Sequence, residues 1–269
     1  MNIVAHYGRL LGSLGRYTLA RELSLRGNFL VKVIVEVIWL GIILAFYATV
    51  FAKTKTIAGW SENQYLFFVG SFFALNGLIE TLFLENCNEF AELVRTGDLD
   101  FLLLKPVDEQ FLISCRRVDW AVSMNIPMGV IVMLLALARM HWEFDPVRVL
   151  AFVVTFGCGT AIAYAFMLML TATSVWLVRN QSLMEMWWLF SSLARYPKEI
   201  FAGSRAEPIG FVFTFILPIL LVANVPADAM VRTLNPAMIG YTVLVTVILL
   251  VVSRRFFRYA LRSYRSASS

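Results

Sequence analysis

Residues 29–51 read FLVKVIVEVIWLGIILAFYATVF, an apolar run whose only charges are Lys32 and Glu36. About 20 mostly apolar residues in a helix cross the roughly 30 Å hydrocarbon core of a bilayer, so this run predicts a membrane span. Five further runs of the same kind follow: Gln64–Leu84, Val118–Ala138, Val149–Val178, Ile209–Ala223 and Met238–Val252. The fourth, on the order of 45 Å at helical rise, has to tilt or protrude. The expectation is an all-α polytopic membrane protein of six transmembrane helices.

Composition supports this. Of the 269 residues, 59% are hydrophobic and 15% charged, and mean hydropathy is +0.74. Soluble domains sit near 45–50% apolar. The net charge of +5 is explained by basic loops on anionic lipid, and no nucleic-acid partner is expected. Cys87, Cys115 and Cys158 are odd in number and scattered, which builds neither a disulfide framework nor a metal site. Arg9, Arg16, Arg21 and Arg26 interrupt the first 28 residues, so no cleavable signal peptide is expected.

Basic residues set the orientation. With a cytoplasmic start, the inner segments hold Arg9, Arg16, Arg21 and Arg26; Arg95, Lys105, Arg116 and Arg117; Arg179, Arg195, Lys198 and Arg205; and Arg254, Arg255, Arg258, Arg262 and Arg265. The outer loops hold Lys53, Lys55, Arg139, Arg148 and Arg232, so the bias is seventeen to five, as the positive-inside rule requires. Both termini are then cytoplasmic. Ser182–Ala194, rich in Met and Trp, is read by this bias as an interfacial helix within a cytoplasmic segment 179–208, not as a seventh span. Ile3, Tyr7, Leu10, Leu14 and Tyr17 recur every three to four residues, the pattern of an amphipathic surface helix over residues 1–28; a fraying tail is the plainer alternative. The two spans of 29–84 lead into a loop, 85–117. Spans three and four fill 118–178, spans five and six 209–252, and 253–269 is a basic tail.

The loop reads ENCNEFAELVRTGDLDFLLLKPVDEQFLISCRR. Glu89–Arg95 has helical spacing, Gly97 suits a left-handed helix end, and Asp98 suits a cap. An apolar cluster, Leu99 and Phe101 to Leu104, is halted by Lys105 and Pro106. Such a cluster either packs on the inner ends of the spans or offers knobs to a cytoplasmic partner. Phe101 and Leu104, three apart, form one face of a turn.

The segment RTGDLDFLLLKPVDEQFLIS, Arg95–Ser114, resembles the signature loop of a bacterial and archaeal subfamily of ABC-2 (type-2 ABC exporter) permeases. The layout is similar too: a surface connecting helix, six spans, a cytoplasmic coupling loop between helices two and three, and a proline-flanked external hairpin, here 224–237 with Pro226 and Asn235–Pro236. ARYPKEIFAG, residues 194–203, also resembles a recurrent element of that subfamily. The resemblance implies a prokaryotic plasma-membrane permease pairing with a second permease, identical or related, and with two ABC ATP-binding subunits. The coupling loop would meet these through Arg95, Gly97, Asp98, Leu99, Asp100, Phe101, Leu104, Lys105 and Pro106. The chain has no GxxxxGK[ST] phosphate loop, so ATP and Mg are expected on the partner subunit and no cofactor on this chain.

Ionisable residues inside spans are costly and default to functional candidates. Asn76 and Glu80 share a face at i, i+4, and Asn125 lies in the third span; these three are the candidates for a translocation path, with an interfacial position the alternative for Glu80. Lys32 and Glu36, four apart, have ion-pair spacing. Gly157 with Ala161, and Gly159 with Ala163, suit close helix packing. An intramembrane enzyme is disfavoured: His6 and His141 fall on opposite sides of the membrane, and neither HExxH nor GxSxG occurs. A scaffold or channel is the remaining alternative to transport.

Overall fold

The computed structural model describes residues 3–177, 181–201, 203 and 206–264; Arg179, Ala202, Arg205 and Arg265, used in the sequence reading, lie outside the described residues. Among the described residues the elements are helical except for one hairpin of two-residue strands, β1 (Thr56–Ile57) with β2 (Trp60–Ser61). In lipid every backbone N–H and C=O needs an internal partner, which a helix supplies. Among the described residues, five helical stretches are long and apolar enough to span: Arg26–Phe51, Glu62–Thr96, Val122–Arg139, Pro146–Thr173 and Pro236–Ser263. We denote α1 Ile3–Ser24, α2 Arg26–Phe51, α3 Glu62–Ile79 and α4 Glu85–Thr96, the last two joined through a π-helical turn at Glu80–Leu84. The helices α5 Leu99–Leu103 and α6 Glu109–Cys115 follow, then α7 Asn125–Arg139 and α8 Pro146–Thr173. The chain ends with α9 Gln181–Ala194, α10 Glu207–Phe211, α11 Ile219–Val231 and α12 Pro236–Ser263.

Local chemistry sets the ends. Asp145 accepts from the N–H of Val147 at 2.9 Å and Asn235 from that of Ala237 at 3.1 Å. Each is followed by a proline in the first turn, where the missing N–H costs nothing. These two caps start α8 and α12 on the same face of the molecule, the face that also carries β1–β2. The loop 85–117 lies on the opposite face.

The expected fifth span, Ile209–Ala223, is not continuous. The chain bends by 89° between Glu207–Ile216 and Ile219–Val231. Leu217, ahead of Pro218, leaves helical geometry (φ −113°, ψ 82°), as a residue before proline tends to. The expected external hairpin 224–237 is corrected with it: α11 runs through Pro226 to Val231, and all thirteen of its residues are buried. Proline at 226 has no N–H to give the carbonyl of Val222. That carbonyl faces Gly159 of α8, where an added Cβ would collide with it. Ala163, one turn further along α8, is buried too. The other small pair expected of this helix does not serve as a contact, since Gly157 has open space beside it.

A second correction concerns 179–208. In α9, Trp187 packs in a buried cluster with Ile79 and Met167, and Phe190 meets Phe166 edge-on at 4.7 Å between ring centroids. Beyond it, Lys198 donates to Asp228 at 2.6 Å, and Glu199 accepts from the Trp60 indole at 2.9 Å. Trp60 belongs to the hairpin face, so 181–201 crosses the bundle instead of lying on the loop face. Arg195 is the charge that disguised this segment. Its guanidinium lies 5.7 Å from the centroids of both Trp39 and Phe72, which offset part of its desolvation. Gly159→Val is expected to push α8 from α11, costing on the order of 1–3 kcal/mol and lowering the thermal midpoint in detergent, while Gly157→Val leaves it nearly unchanged.

Candidate functional site

Two places gather the sequence-derived candidates, the loop face and an open cleft between the spans. On the loop face, Gly97 ends α4 with φ +81°, a conformation that favours glycine. Asp98 does not cap α5: its φ and ψ are already helical (−67°, −13°), whereas a capping residue is extended. Its Oδ2 accepts from the Thr96 hydroxyl at 2.8 Å instead. α5 has no side-chain cap; the capping aspartate of this loop is Asp108 at the start of α6, whose Oδ1 accepts from the N–H of Phe111 at 3.2 Å.

The short helix α5 is two-sided. Leu99 and Leu102 are buried among Phe90, Ile113, Leu168 and Phe257, so Leu99, grouped on sequence with the partner-binding residues, is an anchor. Phe101 and Leu104 point the other way, 70% and 81% exposed. Arg95, Asp98, Lys105 and Pro106 are exposed nearby, with Gly97 and Asp100 half-buried. Arg95 pairs with Glu92 of its own helix.

The mount beneath this patch is polar and tied to the spans. Arg254 of α12 donates to Asp108 at 2.8 Å and Gln110 at 3.1 Å, and Gln110 donates to Tyr164 of α8 at 2.8 Å. Arg116 and Arg117 both pair with Glu89, the second at 2.8 Å. Asn86 donates to the carbonyl of Arg117 at 2.7 Å and accepts its N–H at 2.9 Å. The amphipathic α1 lies along the same region. Tyr7 packs edge-on against Phe111 at 4.8 Å, and Trp120 donates to the Gly15 carbonyl at 3.0 Å. Tyr17, expected on that packed face, is turned outward instead, 70% exposed.

Between the helices, Asn76, Glu80 and Asn125 line a single open cleft of about 460 Å³, together with Glu36, Arg195 and Trp188, with Val35, Ile38 and Trp39 exposed along its rim. Asn76 donates to Glu80 at 2.7 Å, and Asn125 donates to Glu36 at 2.9 Å. The expected Lys32–Glu36 pair is not formed. Lys32 reaches Asp119 at 2.9 Å, since both α2 side chains find partners across the helix gap near α7. The Oδ1 of Asn125 is buried without a partner among the described residues. Sequence reasoning missed Trp188 and Arg195, because it placed their helix outside the bundle; the signal available was Arg195 inside an otherwise apolar stretch. Among the described residues no group of three His, Cys, Asp or Glu could hold a metal ion.

These features define a multi-pass helical membrane protein with a structured loop on one face and a polar cavity among its spans. Residues 37–268 match the family described as ABC-2 family transporter protein, and the chain belongs to that family. No curated protein and no solved structure matches. The family match leaves out α1 and the first turns of α2, and covers the loop, the cavity helices and the bent pair.

The course of 181–201 is testable by labelling. Ile200→Cys is expected to react with a membrane-impermeant maleimide from the same side as Lys53→Cys and opposite to Leu104→Cys; labelling from the Leu104 side would return 179–208 to the loop face.

Proposed function

We propose that the chain is the permease subunit of an ATP-driven ABC exporter, of the bacterial and archaeal subfamily that its 95–114 loop resembles. In this reading it sits in the prokaryotic plasma membrane with both termini cytoplasmic, and the loop face is the cytoplasmic one. Moving Arg195 and Lys198 off that face leaves the excess of basic residues on the same side, in keeping with the positive-inside rule. ATP and Mg belong to two partner ATP-binding subunits, and a second permease, identical or related, completes the path. Asn76, Glu80 and Asn125 are the path's polar lining.

The observation that carries the proposal is the two-sided α5. Exposed apolar side chains on a soluble face call for a partner. Here Phe101 and Leu104 stand on a helix whose reverse side, Leu99 and Leu102, is sealed against α8 and α12. A knob mounted this way transmits force: a partner that moves Phe101 and Leu104 moves the spans. A greasy knob in a groove ringed by charge is a recurrent recognition mode.

Phe101→Asp or Leu104→Asp is expected to abolish transport-linked ATP turnover and co-purification of the ATPase, with membrane insertion and thermal midpoint retained, because the changed side chains are exposed. Unchanged turnover removes the coupling role from this loop. A chain that purifies from its host with no ATPase favours the scaffold or channel alternative.

A further inference from the structure

The open cleft between the spans is charged unevenly along its length. Its carboxylates stand at one end, where Glu36 accepts from Asn125 through Oε2 at 2.9 Å and Glu80 from Asn76 through Oε1 at 2.7 Å. The second oxygen of each carboxylate has no partner among the described residues, and neither is enclosed by protein. Glu80 is itself only 8% exposed, so a side chain that the fold otherwise buries keeps one oxygen open to the cleft.

The cation of the lining, Arg195, is at the other end. It lies against Trp39 and Phe72, and Phe72 stands eight residues before Glu80, roughly 12 Å along the helix at 1.5 Å rise per residue. The walls between are apolar, with Val35, Ile38, Ile42 and the Trp188 indole exposed. Two carboxylates against one guanidinium leave one negative charge in excess, within spans where unbalanced charge is costly. Among the described residues no third His, Cys, Asp or Glu joins the pair to hold a metal ion. The volume of about 460 Å³ falls within the roughly 300–1,000 Å³ of small-molecule sites.

We propose that this cleft takes an apolar monocation, a cationic amphiphile whose charge lies between Glu36 and Glu80 and whose hydrocarbon body packs on Val35, Ile38 and Trp188. In a weakly hydrated site the attraction of the carboxylates is far stronger than in water, and an indole face adds to it. An anion of the same shape meets both carboxylates, and Arg195, lodged against two rings at the far end, does not balance them. This ligand class rests on the cleft being the transport path; its test reads binding with no ATPase present, so the ligand class can fail while the coupling experiment on Phe101 and Leu104 stands.

The full-length protein in nanodiscs of neutral lipid is titrated with radiolabelled tetraphenylphosphonium and with tetraphenylborate, ions of the same shape and opposite charge, and binding to empty nanodiscs is subtracted. The phosphonium is expected to saturate and the borate not. Glu36→Gln and Glu80→Gln, which keep an acceptor for each asparagine, are each expected to weaken the phosphonium roughly tenfold. Glu143→Gln, on the exposed connection between α7 and α8, is expected to leave it unchanged. Failure of the phosphonium to saturate, or equal saturation by the borate, overturns the proposal in the wild type alone. So does undiminished phosphonium binding when Glu36→Gln and Glu80→Gln are combined and the thermal midpoint is retained.

Discussion

The buried helix Ile219–Val231 is the element on which the rest of the bundle is arranged. No face of it reaches lipid or water, so every neighbour must fit its surface, and α8 does so by placing Gly159 against the Val222 carbonyl. The same economy recurs between α3 and α7. A Cβ at Gly129 would stand 2.5 Å from the Ala74 nitrogen and the Gly70 oxygen. Lipid tails are as apolar as leucine, so helices in a membrane gain by close van der Waals fit more than by hiding grease. The short bent segment ending at Ile216 enters the bundle, and α11 returns to the hairpin face.

That return is held by charge. Arg232 lies over the Trp60 ring at 4.6 Å from its centroid and donates to Glu199 at 2.8 Å, and Asp228 accepts from both Lys198 and Arg232. Arg148 donates to the Arg232 carbonyl at 3.0 Å. Partly buried ion pairs are expensive unless each charge is fully partnered. Here α8, α11, the hairpin and the end of the 181–201 segment each contribute a member, so the network fixes how four elements meet at one face. The loop face is built by the same rule. Arg254, Arg116 and Arg117 tie α4 and α6 to α12 and to each other, leaving Phe101 and Leu104 as the outward exception.

The polar residues inside the spans follow a related logic. Glu36, Asn76, Glu80 and Asn125 are paired two by two along one cavity wall, so each carboxylate has a hydrogen-bond donor. Arg195 is the cation of that cavity, kept against aromatic faces. The indoles of Trp39 and Trp188 line the same space beside these paired charges.

The class of the protein was legible in the sequence because the bilayer constrains composition directly. A run such as 29–51 has one stable solution in lipid, and Gly97 marks a helix end by a backbone rule that needs no tertiary partner; the helix starts at Asp145–Pro146 and Asn235–Pro236 were established by the structure. That Phe101 and Leu104 share one face also followed from their spacing, whereas their exposure was decided only by how α5 packs. What the sequence could not decide was which side of α5 Leu99 would take, which partner Lys32 would choose over Glu36, and whether 181–201 or 209–223 crosses the bundle. Hydropathy weighs each segment alone: it penalised the first for Arg195 and favoured the second for its leucines. Only the tertiary structure supplies the Trp39 and Phe72 faces that hold Arg195, and the enclosing helices that bury α11, so the course of the chain there was set by packing between segments distant in sequence.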